Sequence, residues 1–290
     1  MIIRAEIDNI SFNNGATNFL NGAIFFNDNT TYFISGAPGL EMPPIRQSSY
    51  NLAGQNFGKF VSAFYGKRRF SLQGYVIGTS PSDLIAKLDA FRAALDILNG
   101  EQPIIFTLLN GRIVQINAVL LQLDAPYKPG VINAVEFNAA FEASFPYLVS
   151  QTLTTQSISL ASGGGGTVPP PTMPMGLAAD SGGKIFVANN GNAPFYPTAR
   201  ITGPITNPSL RNVSLQKDIL FTLTLGSGEY IDIDFQQQSI IDNTGRNRYD
   251  SKSGTWWYLA PGTTEVRFAA DSTDLSAQAT FTYGDAWLGL

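Results

Sequence analysis

The chain has 290 residues, enough for two domains that each bury a core. Hydrophobic residues make up 44% and charged residues 14%, with a net charge of −4. This excludes a disordered chain and argues against binding driven by basic charge, whether to nucleic acid without sequence specificity or to an anionic membrane. The sequence contains neither Cys nor His, which removes disulfides, thiolate chemistry, the commonest general base and the commonest metal ligands. An enzyme is therefore not expected, and neither is a cofactor or a metal.

Gly (28) and Pro (17) are plentiful among short runs of Val, Ile, Thr, Phe and Tyr, a composition that favours β-structure. The start "MIIRAEIDNISF" lacks the basic-then-apolar build of a signal peptide, and no uncharged apolar stretch is long enough to span a bilayer. Synthesis in a cytoplasm and no membrane partner are the expectations.

In chain order, "RRFSLQGYVIG" alternates Phe70, Leu72 and Val76 against Arg69, Ser71 and Gln73, as a half-buried strand does. A helix follows over about 82–98. Ser80 is placed to cap it, Pro81 suits its first position, and Asp83 favours the positive end of its dipole. Leu84, Leu88, Phe91, Leu95 and Leu98 form its apolar stripe, and Asn99-Gly100 ends it. Asn110-Gly111 lies between two strand-like runs and predicts a type I′ hairpin. "VEFNAAFEASFPYL" puts Val135, Phe137, Ala139, Phe141, Ala143 and Phe145 on one face, with Glu136, Asn138 and Glu142 opposite.

Residues 161–176, "ASGGGGTVPPPTMPMG", read as a Gly/Pro-rich linker between domains 1–160 and 177–290. Its "SGGGGT" lacks the Lys-Ser/Thr and helix of a phosphate loop. Beyond it, "ILFTLTLGSGEYIDIDF" gives two strands around a Gly-rich turn. Phe221, Leu223 and Leu225 share a face of the first, and Ile231, Ile233 and Phe235 a face of the second. With "EVRFAA" and "ATFTYG" added, an antiparallel sandwich or jelly roll is the expected architecture.

Three groups of residues could carry chemistry. Glu229, Asp232 and Asp234 form a carboxylate face that could serve glycoside hydrolysis or a Ca²⁺ site, although two aspartates on one strand lie side by side rather than across a cleft. The loop "IDNTGRN" approaches a calcium loop but has Arg246 where a ligand is wanted. Lys67, Arg68 and Arg69, beside Tyr65, could meet an acidic partner surface or could solubilise a strand start. Adjacent Trp256 and Trp257, followed by Tyr258, suggest one indole in a core and the other outward, where it could touch a sugar, a domain or a subunit.

Two sets of motifs in order carry a resemblance. "GKFVSAFYGKRRFSLQGYVIGTSPSDLIAKLDAFRAAL" has a G-x-R strand, an L-x-G turn and a helix, and "FNAAFEASFPYL" closes with Pro146-Tyr147. "GNAPFYPTARITGPITNPSLRN", "GSGEYIDIDF" and "WWYLAPGTTEVRF" repeat the second pattern: G-N, I-x-G, N-P, G-E-x-I-x-I-D and L-x-P-G. Together they resemble the siphovirus-type distal tail proteins, the hubs at the tip of long non-contractile phage tails. The chain departs from that family at Thr263-Thr264, where an Asn is usual, and in its longer linker.

The resemblance implies a mainly β fold: an N-terminal barrel-like β-domain with one α-helix, and a C-terminal galectin-like or carbohydrate-module-like β-sandwich. It further implies a structural virion protein at the distal end of the tail. Six copies would form a ring joining the tail tube protein to a tail-tip hub or fibre protein, with the tape-measure and receptor-binding proteins as further candidate neighbours. No sequence-specific nucleic acid is expected. Tyr65, Lys67, Arg68 and Arg69 become candidate ring or tube contacts, and Trp256, Trp257 and Tyr258 candidate glycan or partner contacts. The alternative reading is a carbohydrate-binding module for host surface glycans.

Overall fold

A computed structural model describes residues 2–7, 10–12, 19–20, 23–24, 31–127, 133–160, 183–271 and 276–290. The chain divides into two compact units, Met1–Gln151 with Trp287–Leu290, and Thr152–Ala286. The expected linker 161–176 lies outside the described residues. Strand Thr154–Ser159, which the sequence reading placed in the first domain, pairs along its whole length with Gln278–Tyr283 of the second unit. The last four residues belong to the first unit. The second unit is thus inserted into the first, not appended to it.

In the first unit an antiparallel sheet runs Ile10–Phe12, Ile2–Ile7, Gln102–Leu108, Ile113–Asp124, Ala134–Ala143, Arg68–Ile77, Tyr32–Gly36. Its shape depends on the twelve-residue strand Ile113–Asp124. Residues 113–118 pair with Gln102–Leu108, while residues 119–124 pair with Ala134–Ala143, with a register shift between Leu120 and Gln122. A bulge of this kind bends a strand and increases its twist, so one sheet curls into a half-barrel. Its inner residues then face one another: Phe70 lies edge-on to Phe106 at 6.4 Å and stacks on Phe141 at 5.3 Å.

The alternation expected for Arg68–Ile77 and Ala134–Ala143 is present, with Phe70, Leu72, Val76, Val135, Phe137, Ala139, Phe141 and Ala143 all buried. Phe145 lies beyond its strand, half-buried and edge-on to Tyr147 at 5.1 Å. The glycine of the expected L-x-G turn, Gly74, instead sits mid-strand. A Cβ there would fall 1.8 Å from the Phe33 carbonyl oxygen, so close strand approach requires glycine.

The helix spans Pro81–Ala94, four residues shorter than its periodicity suggests. Ser80 caps it by accepting from the Asp83 amide. Leu84, Leu88, Phe91 and Leu95 are buried, and Phe91 packs edge-on against Phe137 at 4.9 Å. Leu98 leaves the stripe because Asp96 accepts from the Leu98 amide and starts a separate 3₁₀ turn, Ile97–Asn99. Leu98 is consequently 87% exposed.

The Asn110-Gly111 hairpin forms without a type I′ turn. Gly111 takes a positive φ of 80° while Asn110 does not, and the Gly111 amide donates to the Leu108 carbonyl. This is a type I turn followed by a glycine bulge.

Strands Ile45–Asn51 and Gly58–Tyr65 form a separate two-stranded arm. Every residue of the first strand is exposed, and so is every residue of the second except Ser62 and Tyr65.

The second unit holds two antiparallel five-stranded sheets. One runs Thr154–Ser159, Gln278–Tyr283, Thr198–Thr202, Tyr230–Asp234, Ser239–Asp242; the other runs Lys184–Asn189, Gly262–Ala269, Ser209–Asn212, Lys217–Phe221, Lys252–Gly254. The two strands flanking the Gly-rich turn at 226–228 do not pair with each other. Lys217–Phe221 belongs to one sheet and Tyr230–Asp234 to the other, so the turn carries the chain between sheets. Buried Asn189 closes one corner. Its amide donates to the Ala193 and Leu259 carbonyls, and its oxygen accepts from the Gly191 and Ala286 amides.

Asp83 accepts from the Thr79 amide and hydroxyl and pairs with Lys87 at 2.9 Å. The Lys87 hydrogen bond, with those from Thr79, lowers its pKa to about 2. A carboxyl depressed in the folded state adds stability above its unfolded pKa, and that stability is lost as pH falls through the folded value. Asp83→Asn should therefore lower the thermal midpoint at pH 7, and the gap from wild type should close as pH falls from about 4 to about 2. Paired melts across that range measure it.

Candidate assembly interface

The basic run Lys67–Arg69 is split by strand alternation. Arg68 is fully buried, donating through one terminal nitrogen to the Leu40 carbonyl at 3.1 Å and through the other to the Leu288 carbonyl. Its Nε has no partner. Burial lowers its pKa to about 10, so it stays protonated at neutral pH. Arg68 is therefore corrected from a surface contact to a core anchor, since no partner chain can reach a guanidinium enclosed in its own unit.

Lys67 and Arg69 project outward and both grip Glu142, at 3.0 and 2.8 Å. Arg69 and then Lys67 hold the Glu142 carboxyl below its ordinary range. Tyr65 packs edge-on against Tyr147, the Tyr of the Pro-Tyr pair, at 5.9 Å. Tyr65, Lys67 and Arg69 border one open depression of about 800 Å³, together with Arg46, Glu142 and Pro146.

This depression lies at the root of the arm, where the Gly66 amide donates to the Pro44 carbonyl at 2.7 Å. The arm exposes Ile45, Tyr50, Phe57, Phe60, Val61 and Phe64 at 48–65%. A lone two-stranded ribbon is marginal in water, and a contiguous apolar patch of this kind marks an interaction surface. Sequence reasoning missed the arm. The available signal was a strand, "GKFVSAFY", in which apolar residues are not confined to alternate positions, leaving no consistently polar face.

In the second unit the tryptophans lie in an irregular segment, not on a strand. This lets both contact Phe235, Trp257 at 4.3 Å and Trp256 at 5.6 Å. Trp257 is 1% exposed and stacks on Phe281 at 6.0 Å. Trp256 is half-buried, with Tyr249 stacked at 6.3 Å and the Lys252 ammonium 5.1 Å from its ring centre. Tyr258 leans on Tyr196 at 5.9 Å.

The carboxylates are committed locally. Asp232 holds Arg200 across the strand pair through two bonds of 2.7 and 2.8 Å, and the Arg200 guanidinium lies 4.1 Å from the Tyr230 ring centre. Asp234 accepts from the Gln236 and Gln237 amides, and Glu229 from the Gly226 amide. In the "IDNTGRN" loop, Asp242 accepts from the Thr244 hydroxyl and amide and the Arg246 amide, and pairs with Arg248. The Thr244 hydroxyl, followed by these others, pulls its pKa well below the usual range. Among the described residues no group of His, Cys, Asp or Glu is arranged to hold a metal ion, and no helix is long and apolar enough to cross a membrane.

Residues 190–287 match the family model described as siphovirus-type tail component, C-terminal domain. The second unit is a siphovirus-type tail component domain. The fold of this tail component is similar to that of SPP1 Dit (gp 19.1), described as a paradigm of hub adsorption apparatus in phages infecting Gram-positive bacteria. That match has a TM-score of 0.62 at 13% identity, covering 89% of this chain and 94% of that one. A chain of the phage P2 baseplate in its activated conformation with Ca matches with a TM-score of 0.52 at 14% identity, covering 90% and 92%. No curated protein matches the sequence. The mainly β architecture and the resemblance to distal tail proteins both hold for this tail component.

Two substitution pairs separate packing from surface roles in the tail component. Trp257→Ala should cost about 3–5 kcal/mol, as core aromatic deletions do, and half-buried Trp256→Ala clearly less, read from urea denaturation. Arg68→Ala leaves the Leu40 and Leu288 carbonyls without donors, at about 1–3 kcal/mol each. Arg69→Ala removes only an exposed ion pair, worth about 0–1 kcal/mol, so the two denaturation midpoints should separate sharply.

Proposed function

We propose that this chain is the distal tail hub of a long-tailed, non-contractile phage. Six copies form a ring between the tail tube protein above and a tail-tip hub or fibre protein below. The observation that carries this reading is the arm: an exposed apolar ribbon with neither face covered, on a chain of tail-component family, is built for assembly with other chains. The similarity of fold to a phage adsorption hub and to a baseplate chain supports the same reading. The role is structural and non-enzymatic, consistent with carboxylates committed to turns and cross-strand pairs. Synthesis takes place in the host bacterium. The tape-measure protein and a receptor-binding protein are the further neighbours such a ring would meet. The domain limits 1–160 and 177–290, with a linker at 161–176, describe a ring-forming part and an outer part.

A second reading rests on one feature of the sandwich. The face carrying Arg200, Asp232 and Asp234 holds an open depression of about 640 Å³, also lined by Thr198, Ser239, Thr280 and Thr282. Its hydroxyls, guanidinium and carboxylates suit a hydroxyl-rich ligand such as a host surface glycan. The packed Trp pair contributes little to it.

Antibody to this chain, applied to virions of the encoding phage and imaged by electron microscopy, should label only the distal tail end. Label along the tube or on the capsid would overturn the hub reading. A glycan array probed with the purified chain tests the second reading.

A further inference from the structure

We propose that the arm of one copy docks head-to-tail onto the helix end of the next copy, around Ile97 and Leu98. This rests on the ring reading and names the two surfaces that would build the ring.

The two patches are complementary in both apolarity and charge. Residues 42–82 hold five basic residues, Arg46, Lys59, Lys67, Arg68 and Arg69, and no acidic one. Of these, Arg46 and Lys59 are exposed with no ion pair among the described residues. Residues 93–111 hold Asp96 and Glu101 and no basic residue; both are exposed and have no ion pair among the described residues. Between these two acids stand Ile97 and Leu98, at 66% and 87% exposure.

The helix-end patch is presented rigidly. Leu95 is buried beneath it, the Asp96 carboxylate accepts from the Leu98 amide at 3.0 Å, and the Gly100 amide donates to the Ile97 carbonyl at 3.0 Å. The fold thus holds two apolar side chains outward between two negative charges. On the arm, aromatic residues bury about 150–250 Å² each when fully enclosed, so half-covered Tyr50, Phe57, Phe60 and Phe64 still offer about 400 Å². That is half of the roughly 800 Å² that each side of a stable interface contributes.

The two patches are different surfaces of one chain, so their union is heterologous. Contacts of this type close into rings or run on into filaments, unlike self-complementary dimers. Opposite charges on the rim steer the approach and fix its register more than they add affinity.

The absence of cysteine from the chain makes the test clean. Phe60→Cys and Leu98→Cys each introduce a single thiol at an exposed position, and unchanged melting curves confirm the fold. Each variant alone, and the two mixed in equal amounts, are treated with a short bis-maleimide. The mixture should give a covalent dimer, and neither variant alone should. Glu101→Lys in the Leu98→Cys chain should lower the yield several-fold at low salt, with the difference closing at high salt. Dimers from Phe60→Cys alone would show arm-to-arm contact and overturn the proposal. So would a mixture giving no adduct, whether the chain forms rings or stays monomeric. Neither result touches the hub reading, which the antibody labelling decides separately.

Discussion

A guanidinium cannot sit in an apolar interior without acceptors, and the first unit is organised around meeting that need for Arg68. Its two acceptors are carbonyls far apart in sequence, Leu40 and Leu288. The Leu290 amide donates to the same Leu40 carbonyl at 3.1 Å, and at Gly289 a Cβ would meet the Glu41 carbonyl oxygen at 1.4 Å. The end of the chain is therefore held in the first unit by a buried charge, two carbonyls and a glycine that permits close approach. Trp287, under the Arg112 guanidinium at 4.6 Å, adds apolar area to the same core. Because the chain leaves the first unit after Gln151 and returns at Trp287, the sandwich is tethered at both ends.

That constraint also sorts the basic run into roles. Strand alternation sends Arg68 inward and leaves Lys67 and Arg69 outside, where Glu142 holds both. The ion pairs are exposed and add little to stability, but they fix the surface at the root of the arm. The arm itself has no intramolecular cover, so its apolar side chains contribute nothing to the core of the isolated chain. Their energetic value is deferred to assembly, the reverse of the situation at Trp257, whose ring is enclosed by Phe235 and Phe281.

Much of the fold was legible in local pattern. Period-two alternation in Arg68–Ile77 and Ala134–Ala143 placed every buried residue of those strands except Arg68 and Gly74. The Ser80-Pro81 start of the helix was read correctly because capping depends on three or four neighbouring residues. Where local rules competed, the outcome was not legible. Leu98 keeps the helical period yet leaves the helix, because Asp96 offers its amide a nearer acceptor than the helix would. Asn110-Gly111 is compatible with more than one hairpin turn, and the bulged form prevails. The Gly-rich segment at 226–228 reads as a hairpin turn but crosses between sheets, since strand pairing is decided by partners distant in sequence.

The sequence by itself determined that the protein is mainly β with one helix, that thiol and imidazole chemistry are absent, and that its motif order is that of a tail component. These follow from composition, periodicity and short-range spacing, which need no knowledge of distant contacts. Only the tertiary structure decided that Arg68 is a core anchor, that the aspartates are spent on turns and cross-strand pairs, that both tryptophans meet at Phe235, and that Ile45–Tyr65 stands out as an uncovered arm. Each of these depends on which remote backbone or ring arrives beside a given side chain, and burial is a property of that arrangement rather than of the residue.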